Sequence, residues 1–404
     1  ISVGVSAGVL FALYKVLPLM GDYLDSIALV AGFTFLFSNI IGLKQQNAKR
    51  LLGYSSIGQM SLLTLALVML IKFDAQASMI VVVGGLFVNH LVAKAGLFWL
   101  AGIIDRDELK HWSALHGRTG VLILFASLLI ALVGLPPFPG FWAKWELLML
   151  LAAHDQYLWL VVILLGSLLE AAYLFRWFQL ARTPVTGDAQ ANPRNLSYKT
   201  SDHYPVAITV LLLFVLGYFM ASELVASTAA LDVTVLYLPL VAGLALWLIE
   251  TTFEYRSKLV ALVTIAAGGY LLLQPLQGIA LLFGVLFIGG GLLVCIGAIS
   301  GSQTEKDDKG NAVLQQLPAG FYPMLTVLLL SMTGMLSAQS TLSFFFSWEL
   351  MTLSSWLLIT LKATDGNGRI SDSTDHDSPA HHNPALSYLL FSLGSAYFIL
   401  AGFA

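Results

Sequence analysis

A histidine and a lysine stand four residues apart in a very apolar stretch of the chain. His90 and Lys94 lie within the run 77–103, which is long enough to cross a bilayer as a helix. At this spacing both side chains lie on one helical face, one turn apart. A lysine at mid-membrane costs at least ~2.5 kcal/mol, and Lys94 lies too deep to snorkel to the interface. The pair therefore predicts a buried proton or cation site.

Four further ionisable side chains interrupt apolar runs. Lys15 stands near the end of its run, where snorkelling to the interface is an open alternative. Lys144 follows a proline-rich break, and Glu170 lies in the next run, which returns antiparallel. Glu170 either pairs with Lys144 or is protonated and satisfied by a hydroxyl. Glu349, eight residues into a later run, is expected to exchange protons.

These residue types have the chemistry that proton transfer through a membrane needs. Burial favours the neutral forms of lysine and glutamate, whereas a neighbouring opposite charge favours the charged forms. Making and breaking such pairs can load and release protons, and a histidine that titrates near neutral pH suits a relay. The predicted proton-translocating residues are Lys15, His90, Lys94, Lys144 and Glu349, with Glu170 as a possible ion-pair partner.

Other kinds of chemistry lack a signature in the sequence. There is no dinucleotide-binding glycine fingerprint, P-loop, nucleophile elbow or CxxC motif, so we expect no cofactor and no nucleic-acid partner. The single cysteine, Cys295, offers no disulfide and no iron–sulfur cluster. The histidines and aspartates at 375–382 fit a solvated linker better than a metal site, and we expect no metal.

The composition predicts an all-α polytopic membrane helix bundle. The mean hydropathy is +0.82, and only 11% of residues are charged. Length and polar punctuation predict about thirteen transmembrane spans. These are 1–20, 23–43, 51–71, 77–103, 119–153, 157–181, 204–221, 233–250, 258–274, 278–300, 321–338, 341–361 and 384–404. The fifth contains LPPFPG at 135–140, which predicts a broken helix.

The positive residues predict how the spans are oriented. If the first span runs outward, sixteen lysines and arginines fall in cytoplasmic segments and only Lys72 falls outside. We therefore expect a multi-pass protein of the cell inner membrane with the bilayer as its surroundings. The polar loops expected on the cytoplasmic side are 44–50, 104–118, 182–203, 301–320 and 363–383.

Four stretches together resemble the antiporter-like membrane subunits of respiratory complex I, membrane-bound hydrogenases and Mrp cation/proton antiporters. They are KQQNAKRLLGYSSIGQM at 44–60, HLVAKAGLF at 90–98, GLPPFPGFWAK at 134–144 and FSWELM at 346–351. Each is weak alone, but four in one polytopic chain are specific. The resemblance implies that Lys15 matches the eighth helix of the family, His90 and Lys94 the eleventh, Lys144 the twelfth and Glu349 the fifth.

The order of these stretches differs from that of one family module. The resemblance implies that 1–221 is the C-terminal half of a first module, helices 8–14, and 222–404 the N-terminal half of a second, helices 1–6. The chain also lacks an initial methionine, so we expect a piece of a longer polypeptide. Because modules stand in a row in the family, Lys144 and Glu349 are expected to communicate across the junction.

The function implied by the resemblance is proton translocation in a redox-driven complex. The complex would be of the NADH:quinone oxidoreductase, membrane-bound hydrogenase or formate hydrogenlyase type. The chain would be the ion-translocating subunit of an oxidoreductase, without a redox centre of its own. Other membrane subunits and a peripheral redox arm are the implied partners. The alternatives are a non-redox Na⁺/H⁺ (Mrp-type) or inorganic-carbon-linked transporter subunit, and a structural membrane scaffold. The sequence does not distinguish H⁺ from Na⁺ as the transported ion.

Overall fold

The computed structural model describes residues 2–183, 203–226, 233–252, 257–300, 304–306, 312–314, 320–361 and 384–403. The helices are α1 (Ser2–Val16), α2 (Leu24–Lys44), α3 (Ala48–Lys72), α4 (Gly85–Ile104), α5 (Thr119–Val133), α6 (Pro139–Ala153), α7 (Tyr157–Arg182), α8 (Tyr204–Ala226), α9 (Val233–Thr252), α10 (Ser257–Leu273), α11 (Gly278–Ser300), α12 (Phe321–Leu336), α13 (Thr341–Thr360) and α14 (Pro384–Phe403). Two short antiparallel strands, β1 (Thr304–Lys306) and β2 (Ala312–Leu314), lie between α11 and α12.

The helices confirm the predicted polytopic all-α membrane bundle. Eight described stretches are long and apolar enough to cross a membrane, and four further apolar helices are shorter. The number of thirteen spans stays a prediction. The predicted loops 182–203, 301–320 and 363–383, with the histidines at 375–382, lie largely outside the described residues.

The chain forms two compact units. The first comprises Ile1–Leu224 with Tyr397–Ala404, and the second Val225–Ala396. In the first unit α2 packs against α3 and α7, and α4 packs against α5 and α6. In the second unit α12 packs against α9, α10, α11 and α13. The assignment of 1–221 and 222–404 to two half-modules stays a prediction.

The fifth predicted span is broken in the structure, as its sequence predicts. Helix α5 ends at Gly134, whose φ of +81° lies in the left-handed region that favours glycine. The Gly134 N–H donates to the Ala131 carbonyl and the Leu135 N–H to the Ile130 carbonyl. Helix α6 begins at Pro139, a first-turn position that needs no N–H donor. Between the two helices the backbone is irregular and buried in protein.

The loops 44–50 and 104–118 are clipped together by backbone hydrogen bonds. The Ala48 N–H donates to the Asp107 carbonyl at 2.7 Å, and the Leu109 N–H to the Gln46 carbonyl at 2.8 Å. Arg176 on α7 donates to the carbonyls of Leu43 and Gln45, which would otherwise be unpaired at the end of α2. One end of this unit is therefore fixed by contacts among α2, α3, α4 and α7.

Helix α4 does not begin as a regular α-helix. It follows a π-helical segment, Ile80–Gly84, whose turns hold more residues than an α-helical turn. The next residue, Gly85, faces α6 and α8, and a Cβ there would lie 3.0 Å from that of Ala143. The wider turns therefore lead into the helix that carries His90 and Lys94.

The contact between α2 and α7 depends on glycines. A Cβ at Gly166 would overlap the ring of Phe35. We expect Gly166→Ala to destabilise the protein by about 1–3 kcal/mol, because this contact has no room for a methyl group. Gly102→Ala on α4 is the control, since no atom lies within 4 Å of its Cβ position. Unfolding in graded detergent mixtures measures both, and equal stability of the two variants would contradict the packing.

Candidate functional site

Three charged side chains from three helices are buried in the first unit. Lys94 on α4 is 0% exposed, Glu170 on α7 is 1% exposed and Lys144 on α6 is 7% exposed. The ammonium of Lys94 donates a hydrogen bond of 2.7 Å to the Leu52 carbonyl on α3. The sequence predicted that these residues lie inside the bundle, and the structure brings them into one electrostatically connected group.

Glu170 is held by side chains of α3. The Ser55 hydroxyl donates to its Oε1 at 2.9 Å, and the Gln59 amide donates to its Oε2 at 2.6 Å. Lys94 and Lys144 both act electrostatically on this carboxyl group. Among the described residues, however, no ion pair within 4 Å joins it to either lysine. Lys144 and Glu170 therefore form no close ion pair among the described residues, and the Ser55 hydroxyl and the Gln59 amide donate to Glu170 instead.

Lys144 reaches back to the broken end of α5. Its Nζ donates to the Val133 carbonyl at 2.5 Å and to the Ser167 hydroxyl at 3.0 Å. The C-terminus of a helix carries partial negative charge, which favours an ammonium there. Gly134 leaves the space that this side chain needs, because a Cβ on it would lie 3.0 Å from Nζ. Ser167 stands one turn before Glu170 on α7 and so lies between the two charges.

Three successive carbonyls at the end of α5 each accept a bond from another helix. Asn89 on α4 donates to Ala131 O at 2.7 Å, and Gln59 on α3 donates to Leu132 O at 3.3 Å. Lys144 takes the third carbonyl. In hydrocarbon an interrupted helix is tolerated only where protein groups satisfy its backbone. The break therefore doubles as the place where α3, α4 and α6 meet.

The structure places His90 beside this group and Lys15 apart from it. His90 is 3% exposed, one turn from Lys94, and its Nδ1 has no hydrogen-bond partner among the described residues. Lys15 lies on the exposed face of α1, with Nζ 5.6 Å from the Phe11 ring and 5.5 Å from the Tyr14 ring. The relay and transfer roles of both residues stay predictions.

Glu349 belongs to the second unit. It is 3% exposed on α13, and its Oε2 has no hydrogen-bond partner among the described residues. Thr352, three residues along the same helix, has a buried hydroxyl that likewise has no hydrogen-bond partner among the described residues. Its role in proton exchange and its communication with Lys144 stay predictions.

Sequence analysis missed four polar residues that build the site: Ser55, Gln59, Asn89 and Ser167. Ser55 and Gln59 are four residues apart within the quoted stretch 44–60, so their common helical face was readable from the sequence. Asn89 directly precedes His90, but nothing local indicates its partner on α5. Within the part of the chain that the structure describes, no group of three His, Cys, Asp or Glu side chains could hold a metal ion.

The broken helix and the buried Lys94 and Lys144 lie in the part of the chain that is similar to a known family. Residues 1–170 match the family model described as "NADH:quinone oxidoreductase/Mrp antiporter, TM". The resemblance stated from the sequence is thereby confirmed for this part of the chain.

Curated relatives match a similar part of the chain. The NADH-quinone oxidoreductase subunit N of Moorella thermoacetica is 29% identical over 197 residues, 47% of this chain and 39% of the relative. That of Paraburkholderia phymatum is 30% identical over 200 residues, 45% of this chain and 40% of the relative. The NADH-ubiquinone oxidoreductase chain 2 of Hyaloraphidium curvatum is 27% identical over 186 residues, 46% of this chain and 42% of the relative. The chain spans less than half the length of these relatives.

Replacing the buried carboxylate should destabilise the first unit. We expect Glu170→Leu to cost about 3 kcal/mol or more, because two buried lysines lose their counter-charge and two donors lose their acceptor. Glu223→Leu on α8 is the control, since Glu223 is exposed. Detergent unfolding of both variants checks this, and equal stability would argue against a charge-balanced site.

Proposed function

We propose that this chain is part of an antiporter-like subunit that translocates protons across a membrane within a redox-driven complex. The observation that carries the proposal is a buried group of three ionisable residues, Lys94, Glu170 and Lys144. They come from three helices, and both lysines act electrostatically on the carboxyl group of Glu170. The redox chemistry belongs to other subunits in this proposal. The family match over residues 1–170 supports it, as do relatives that are subunits of NADH-quinone oxidoreductase.

The site supports proton transfer by changes of charge balance. When Lys94 loses a proton, Glu170 loses part of its positive surroundings and holds Lys144 more strongly in its charged form. When Lys144 then releases its proton, Glu170 favours reprotonation of Lys94. Because both lysines act on one carboxyl group, loading one is coupled to unloading the other. His90, one turn from Lys94, is the proposed relay to that lysine.

The remaining assignments are part of the same proposal. Residues 1–221 and 222–404 are the halves of two successive modules. The protein lies in the cell inner membrane, with loops 44–50 and 104–118 on the cytoplasmic side. Its partners are neighbouring membrane subunits and a peripheral redox arm.

The function is tested with the full-length protein in its complex, reconstituted into vesicles. Lys94→Ala and Lys144→Ala should each lower proton translocation per electron by about tenfold or more, because a positioned proton-transferring group contributes at least that much. Lys72→Ala is the control, since Lys72 forms a surface ion pair with Asp25 at 2.5 Å. Undiminished proton translocation in both lysine variants would contradict the proposal and favour the alternative of a structural membrane scaffold.

The same vesicles separate the two ions. We expect translocation to persist when sodium is replaced by potassium, as direct proton transfer between lysine and glutamate requires no alkali cation. A strict requirement for sodium would instead favour the Mrp-type Na⁺/H⁺ alternative. Residual sodium is measured in each buffer, so that a high-affinity sodium site is not missed.

Sidedness is tested with single cysteines. Gln46 and Gln76 are exposed at opposite ends of α3 and its flanking turns, and the native Cys295 is buried. We expect an impermeant thiol reagent to label Gln46→Cys from the cytoplasmic side only and Gln76→Cys from the outer side only. Labelling in the reverse pattern would overturn the proposed orientation.

A further inference from the structure

Gln59 occupies a bridging position that its residue type alone does not suggest. Its Nε2 lies 2.6 Å from Glu170 Oε2 and 3.3 Å from Leu132 O. Its side chain is buried, with 3% of its surface exposed. One amide therefore joins the buried carboxyl group on α7 to the broken end of α5.

The chemistry of an amide limits what Gln59 can do. The two oxygens around it both accept hydrogen bonds, so the NH₂ group faces them, and its two N–H bonds match the two acceptors. An amide does not exchange a proton in the physiological range, so Gln59 is no proton carrier. It donates most strongly to a charged carboxylate and less strongly to a carboxylic acid.

We propose that Gln59 is a positioning residue that stabilises the carboxylate form of Glu170 and ties it to the carbonyl end of α5. This inference rests on the proposed function, because it concerns the same buried group. Gln59 and Ser55 together satisfy both oxygens of Glu170. The carboxylate is thereby held between Lys94 and Lys144 and forms a close ion pair with neither. Its charge can then act on both lysines.

Other groups around Glu170 also influence its charge. Lys94 faces it from α4 and Lys144 from α6, and Tyr173 acts on it from its own helix. The Tyr173 hydroxyl donates to Asn39 on α2 at 3.0 Å. Helix α5 carries no titratable side chain, and α3 contributes the neutral donors Ser55 and Gln59. The test must therefore change Gln59 and keep Lys94, Lys144 and Tyr173 in place.

The experiment measures the infrared carboxyl band of Glu170 against pH in the reconstituted full-length complex. The band is assigned by its disappearance in Glu170→Gln. Gln59→Met removes both hydrogen bonds at nearly constant volume, and we expect the acid band to appear at a pH about one unit higher or more. Gln59→Leu, which likewise removes both N–H donors and adds no carboxyl group of its own, should move it in the same direction.

Asn89→Met is the matched control. Asn89 is also a buried amide that donates to an α5 carbonyl, but it makes no bond to Glu170. We expect the Glu170 band to keep its wild-type midpoint in this variant. The proposal is overturned if both folded Gln59 variants titrate like the wild type, or if Asn89→Met shifts the band as far as they do. Helical circular dichroism establishes folding, and the readout does not depend on ion translocation.

Discussion

The structure of the first unit depends on the cost of burying ionisable side chains among apolar helices. Each buried lysine needs acceptors, and in a helix bundle most carbonyls are already used by the helices themselves. The interruption of α5 frees the carbonyls of its last turn, and Lys144 takes one of them. Lys94 donates to a carbonyl within regular helix α3, that of Leu52, which also accepts from the Ser56 hydroxyl. The interrupted helix thus supplies an acceptor for the Lys144 ammonium, and Lys144 supplies a donor for the Val133 carbonyl.

Helix α3 organises the site without contributing an ionisable group to it. Leu52, Ser55 and Gln59 are spaced by three and four residues, so they form one stripe along the helix. The stripe contacts Lys94 through a backbone carbonyl and Glu170 through two side chains. At its far end it reaches α5 through Leu132. The neutral stripe of α3 therefore contacts charged groups that belong to other helices.

The sequence predicted much of this fold because hydropathy determines membrane helices strongly. Apolar length indicated the helices, and three prolines within 135–140 indicated the break. Burial of His90, Lys94, Lys144 and Glu170 followed from their position inside apolar runs. The hydrogen-bond partners did not follow, because a polar side chain inside an apolar run does not indicate which helix carries its partner. Which carbonyl each donor reaches depends on how the helices pack, and no local pattern records that.

The π-helical segment Ile80–Gly84 determines how the side chains of α4 are rotated about the helix axis. In an α-helix each residue advances the chain by about 100° and 1.5 Å, so an extra residue accommodated in a widened turn re-aims the whole downstream helix by that amount. The sequence of this segment, IVVVG, contains four aliphatic residues and a glycine and no polar side chain. These residues contribute through backbone geometry alone. They determine the direction in which Asn89, His90 and Lys94 point from the axis of α4.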